Sequence, residues 1–78
     1  MLIVDDEPAN LDLLESVLKP AGFGVLRAAG GREGIDIAKA QMPSLILLDL
    51  MMPGVTGFDV VEAIRNEEVT RSIPIMVF

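Results

Sequence analysis

Short apolar runs alternate with amphipathic stretches along this chain, and the alternation predicts strands and helices in turn from one end to the other. Leu2-Ile3-Val4 predicts a first strand, ended abruptly by Asp5-Asp6-Glu7. Pro8 falls where a helix tolerates proline, in its first turn, with Asp6 or Glu7 expected as the cap. Leu11, Leu14, Val17 and Leu18 then recur at helical spacing, while Asp12, Glu15 and Lys19 take the other face. Pro20 and Gly22 stop that helix. Phe23-Gly24-Val25-Leu26 predicts a second, shorter strand, and Ala28-Ala29-Gly30-Gly31 the turn after it.

A second helix is expected from about Arg32 to Gln41, with Ile35, Ile37 and Ala38 as its apolar positions and Pro43 as its breaker. Ser44-Leu45-Ile46-Leu47-Leu48-Asp49-Leu50 is the clearest strand signal. Its apolar residues occupy both alternating faces, as expected of a central parallel strand covered on each side. Met52-Pro53-Gly54-Val55-Thr56-Gly57 is a loop rich in turn residues, after which Phe58, Val61 and Ile64 mark a third helix ending at Arg65-Asn66-Glu67-Glu68. Ile73-Pro74-Ile75-Met76-Val77-Phe78 predicts a fourth strand. No repeat, low-complexity segment or linker interrupts the series.

Alternation at this spacing implies right-handed strand–helix–strand units, a parallel sheet and helices on both faces. Ligands of such sheets bind beyond the carboxyl ends of the strands. Asp5 and Asp6 close the first strand, and Asp49 lies near the end of the third. If those strands are neighbours, three carboxylates converge on one spot. Like charges so placed repel, and desolvation adds to the cost. A cation from outside the chain is the expected compensation. The bland reading is that a lone acid at a strand end caps a helix or shapes a turn. An adjacent pair plus a third acid ending a wholly apolar strand fits that reading poorly.

Composition narrows the chemistry of the site. The chain has no Cys and no His, which removes thiolate and imidazole ligands and the usual general base. A hard, oxygen-loving ion remains, and Mg²⁺ fits: it takes octahedral oxygen coordination, keeps waters and bridges carboxylates to phosphoryl groups. A carboxylate beside it can attack phosphorus and form an acyl phosphate. Asp12, Glu15, Glu62 and the Glu67-Glu68 pair are read as solvated helix faces, and Met51-Met52 as loop packing. Gly30-Gly31 lacks the Lys and spacing of a phosphate loop. The net charge of −6 argues against nucleic-acid binding by this segment, and no apolar run approaches a membrane span. The start lacks a signal-peptide pattern, so a cytoplasmic domain is expected.

The motifs "IVDDEP", "LILLDLMMPGVTG" and "IPIMVF", in that order and spacing, resemble the receiver domain of bacterial two-component response regulators. The resemblance implies an α/β, flavodoxin-like, doubly wound parallel sheet with strand order 2-1-3-4. It implies a phosphoacceptor domain that takes a phosphoryl group from a sensor histidine kinase or a phosphotransfer protein. Carried over by position, Asp49 is the phosphoacceptor, Asp6 ligates Mg²⁺ directly, and Asp5 assists through water. The backbone carbonyl of Met51 supplies a further metal ligand, in a loop shaped by Pro53 and Gly57. Such a domain is a signalling switch and turns over no external product.

The family's pattern runs on past strand four with a Ser or Thr and a fifth strand ending in Lys. Residues 1–78 contain neither, and Thr56, Thr70, Lys19 and Lys39 stand in the wrong places to substitute. The resemblance therefore places residues 1–78 as the N-terminal portion of the domain. A fourth strand at the sheet edge, with one face short of a covering helix, is expected to pair with a second copy by edge addition or domain swap, or to be covered by further chain. Two other functions stand beside the phosphoacceptor. One is an interaction module that keeps the acids without efficient phosphorylation. The other is a Mg²⁺-dependent phosphohydrolase, against which the contiguous Asp5-Asp6-Glu7 argues, because its two acids would be two residues apart.

Overall fold

The four apolar runs become four short parallel strands. In the computed structural model, which describes residues 1–78, the order along the chain is β1 (Leu2–Val4), α1 (Pro8–Leu18), β2 (Leu26–Ala28), α2 (Gly31–Gln41), β3 (Ile46–Leu48), α3 (Gly57–Asn66) and β4 (Ile75–Val77). They form one sheet in the order β2-β1-β3-β4, the flavodoxin-like arrangement that the family resemblance implies. The registers Leu2↔Leu26, Leu2↔Ile46 and Ile46↔Ile75 align the strands so that their carboxyl ends lie level.

Alternation along each strand divides the core. Leu2, Val4, Ala28, Ile46 and Leu48 share one apolar cluster with Ile35 and Ala38 of α2 and Val60 and Ile64 of α3. Gly34 lets α2 approach β1, since a methyl group there would lie 2.9 Å from the Val4 side chain. The intervening row, Arg27-Ile3-Leu47-Met76, faces the other way. There Leu11 of α1 is buried, and Arg27 pairs with Asp12 and Glu15 of α1 at 2.7 and 2.8 Å. The expectation of one uncovered face is thus half right. The α1 helix covers the β1–β2 side, whereas Leu47 is half-buried and Met76 is 59% exposed.

Three expectations need correction. The second strand is Leu26–Ala28, not Phe23–Leu26, and Phe23 is exposed. Pairing with β1 sets its position, and Arg27 is accepted in it because α1 offers two carboxylates. Of the acids read as solvated, Asp12 and Glu67 are indeed exposed, whereas Glu15 is half-buried between Lys19 at 2.7 Å and Arg27 at 2.8 Å. Met51 and Met52 part company, since Met52 is buried in the main cluster while Met51 is 85% exposed.

The segment joining α3 to β4 is fixed by polar contacts. The Thr70 hydroxyl, fully buried, donates to the Ile64 carbonyl at 2.8 Å and satisfies the end of α3. Arg65 Nη1 donates to the carbonyls of Arg71 and Ile73. No helix is long and apolar enough to cross a membrane.

Candidate functional site

Asp5 and Asp49 each follow directly from a strand, and Asp6 is the next residue after Asp5. The Asp5 N–H donates to Ala28 O at 3.1 Å and the Asp49 N–H to Val4 O at 3.0 Å, so both residues extend the ladders by one step. Since β1 and β3 are neighbours, their ends place Asp5, Asp6 and Asp49 together. One carboxylate oxygen from each lies within 4.8 Å of the others. The conditional convergence read from the sequence holds. Asp5 is fully buried, and Asp6 and Asp49 are half-buried.

The chain itself offsets part of the repulsion. Asp5 Oδ1 accepts from the Glu7 N–H at 2.9 Å, and Asp5 Oδ2 from the Asn10 side-chain amide at 3.1 Å. Asp49 Oδ1 accepts from the Met51 N–H at 3.0 Å. No ion pair involves any of the three acids, and no cationic side chain neutralises them. The expected cap for α1 holds in position only. Glu7 is the cap residue but its side chain makes no capping bond, and Asp5 instead holds the Glu7 amide.

The loop after β3 returns tightly. Gly57 N–H donates to Leu50 O at 3.2 Å, and a methyl group at Gly57 would lie 2.5 Å from Leu50 Cα and 2.7 Å from Asp49 O. A reciprocal capping box then starts α3: Thr56 Oγ1 accepts from the Asp59 N–H, and Asp59 Oδ2 from the Thr56 N–H. Thr56 and Thr70 thus have structural duties at the two ends of α3.

The donor set suits a small hard ion. Octahedral Mg²⁺–oxygen distances of about 2.1 Å imply ligand oxygens roughly 3 Å apart when adjacent and about 4.2 Å apart when opposite. A set within 4.8 Å needs only a slight closing, or one water between ion and carboxylate, to meet that geometry. Asn10 and the contact of Gly57 with the Asp49 backbone escaped the sequence reading. The first could have been suspected from an amide in the first helical turn after an acidic pair.

Comparison with known proteins agrees with this fold. The response regulator receiver domain family matches residues 1–78. The "DNA-binding dual master transcriptional regulator RpaA" of Synechocystis is 43% identical over 97% of this chain and 32% of its own length. "Protein PilH" of Pseudomonas aeruginosa is 34% identical over 99% of this chain and 64% of its own. Among solved structures, the response regulator TrrA of Thermotoga maritima, in complex with Mg(2+)-BeF, superposes with a TM-score of 0.81 at 34% identity, over 86% of this chain and 58% of that one. The chain thus spans less than two thirds of the length of each of these relatives. Matched along its whole length, and folded with the strand order its motifs imply, the chain belongs to the response regulator receiver domain family.

Proposed function

We propose that residues 1–78 are the N-terminal portion of a receiver domain whose Asp49 accepts a phosphoryl group with the help of Mg²⁺. The observation that carries this reading is the convergence of three carboxylates, without a compensating cation, at the ends of two adjacent parallel strands. The Mg(2+)-BeF complex of TrrA supports it by likeness. Asp6 and Asp49 would hold the ion through carboxylate oxygens, Asp5 from its buried position, and Met51 through its backbone carbonyl. The ion would neutralise charge that builds up on the phosphoryl oxygens.

This chain's own residues supply position. Asp49 is held by the Met51 amide on Oδ1, which leaves Oδ2 as the attacking atom. That oxygen forms a new bond to phosphorus. The bond from phosphorus to the donor's nitrogen or oxygen breaks, its electron pair leaves with the donor, and an acyl phosphate remains on Asp49. A phosphohistidine on a sensor kinase or a phosphotransfer protein fits as donor. The product is a modified domain and not a released metabolite. The exposed Met76, Val77 and Phe78 at the β4 edge support pairing there with a second copy or with further chain, which sedimentation velocity tests.

Intact mass before and after incubation with Mg²⁺ and a small phosphodonor tests the reading. The expected result is a gain of one phosphoryl group, abolished by EDTA and by Asp49→Asn. A gain that survives Asp49→Asn moves the acceptor elsewhere. No gain leaves an interaction module, and steady turnover of a generic phosphomonoester would make the chain a phosphohydrolase.

A further inference from the structure

The helix that follows the acidic pair makes an unusual use of its third residue. In α1, Asn10 lies in the first turn, where a short polar side chain ordinarily reaches back to the helix's own cap. Here it turns away and donates to Asp5 Oδ2, five residues back, at 3.1 Å. The cap residue Glu7 meanwhile makes no side-chain capping bond. Asn is also a poorer helix former than Ala by a few tenths of a kcal/mol or more. The Asn10 side chain caps no amide of its own helix, whereas the buried carboxylate gains a second anchor.

We propose that Asn10 is a positioning residue for the acidic cluster, its side-chain amide fixing the plane of the Asp5 carboxylate for a divalent cation. The inference rests on the reading that the cluster holds such a cation. With only the Glu7 N–H on Oδ1, the Asp5 carboxylate could still rotate about its Cβ–Cγ bond; a second donor on Oδ2 removes that freedom. Each carboxylate oxygen has a second lone pair, so Oδ2 can still face the ion or its water. The donor's neutrality matters as well. A Lys or Arg at this place would anchor Asp5 equally but would bring a charge that competes with the cation. An amide orders the ligand while leaving the site's negative charge intact.

The test is a ¹⁵N–¹H NMR titration of the 78-residue chain with Mg²⁺, which yields both affinity and a local signature. Asn10, Asn66 and Gln41 carry all the side-chain amides, so assignment is simple. The Asn10 amide pair is expected to shift with the same midpoint as the Asp6 backbone, while Asn66 and Gln41 stay put. Asn10→Leu, similar in size without the donor, is expected to weaken Mg²⁺ binding about tenfold, in line with loss of a partner that orients a metal ligand. Asn10→Gln, which keeps the amide, should retain binding within about threefold.

An Asn10→Leu chain that binds Mg²⁺ as the parent does, or an Asn10 amide that ignores the titration, overturns the inference and leaves the cation reading standing. If the parent itself does not respond to Mg²⁺ and matches Asp6→Asn, both fall together. Should Asn10→Leu fail to fold, the amide titration on the parent decides alone.

Discussion

Replacing Gly57 with alanine puts a methyl carbon 2.5 Å from Leu50 Cα and 2.7 Å from Asp49 O. Carbon atoms in contact sit at about 3.5 to 4.0 Å, so the first approach is about 1 Å too close. Both neighbours are backbone, not the tip of a flexible side chain, and they belong to Leu50 and to Asp49, the proposed phosphoacceptor. Relief requires the start of α3 or the Asp49–Leu50 backbone to move by about 1 Å, which places the substitution among overpacking changes of about 1 to 3 kcal/mol. Alanine's helix preference recovers at most about 1 kcal/mol, and less at a first helical position. A net loss of about 1 to 2 kcal/mol is expected, set against roughly 4 to 12 kcal/mol for a domain of this length.

Urea denaturation followed by far-UV circular dichroism measures this loss. The control is Gly24→Ala, where the new methyl group meets nothing within 4 Å. That change should stabilise by about 0.4 to 1 kcal/mol, because it narrows the unfolded ensemble without native strain. The two Gly→Ala changes therefore carry opposite signs. A Gly57→Ala midpoint at or above the parent's would refute the reasoning about close approach. Mg²⁺ affinity should fall with the same variant, since the forced movement displaces Asp49 from Asp5 and Asp6.

Thr70→Val should cost about 1 to 3 kcal/mol in the same assay, because it leaves the buried Ile64 carbonyl without its donor, whereas Thr70→Ser should stay near the parent. Hydrogen bonds from Lys19 and then Arg27 hold the Glu15 carboxyl below its ordinary value of 4.5. Its folded value lies under its unfolded one, so this stabilisation is present above about pH 4.5 and is lost as pH falls through the folded value. Arg27→Ala should therefore shrink the stability lost between about pH 6 and pH 3, and added salt should shrink it further. In EDTA, Asp6→Asn should raise the unfolding free energy by an amount of order 1 kcal/mol, read as a higher urea midpoint, since it removes one of three like charges within 4.8 Å. Saturating Mg²⁺ should reverse that ranking, and an unchanged ranking would deny the cluster its cation.

Most of the architecture was legible because apolar content and burial coincide. Leu2–Val4 and Ile46–Leu48 are central strands, and their apolar runs could be seen without reference to anything else. The second strand failed for the same reason. It lies at the sheet edge, where Arg27 is stabilised by two acids of α1, and the more apolar Phe23–Leu26 was the wrong guide. The three acids were legible from their positions at strand ends. Their supports were not, because the Asn10 bond to Asp5 and the approach of Gly57 to Asp49 are facts of three-dimensional closeness.

The distribution of those supports bears on how the fold tolerates the cluster. Asp5, fully buried, would lose most from desolvation, and it is the acid with donors on both oxygens. Asp49 has one such donor on a half-buried carboxylate. Asp6, also half-buried, has no hydrogen-bond donor at its carboxylate in this structure and keeps its contact with solvent. Support thus follows burial, and every donor is neutral. Neutral donors lower the desolvation penalty of each acid but leave the mutual repulsion of the three in place. That residual repulsion is the term a divalent ion removes. A chain that had instead paired these acids with Arg or Lys would be more stable alone and would have less to gain from binding one.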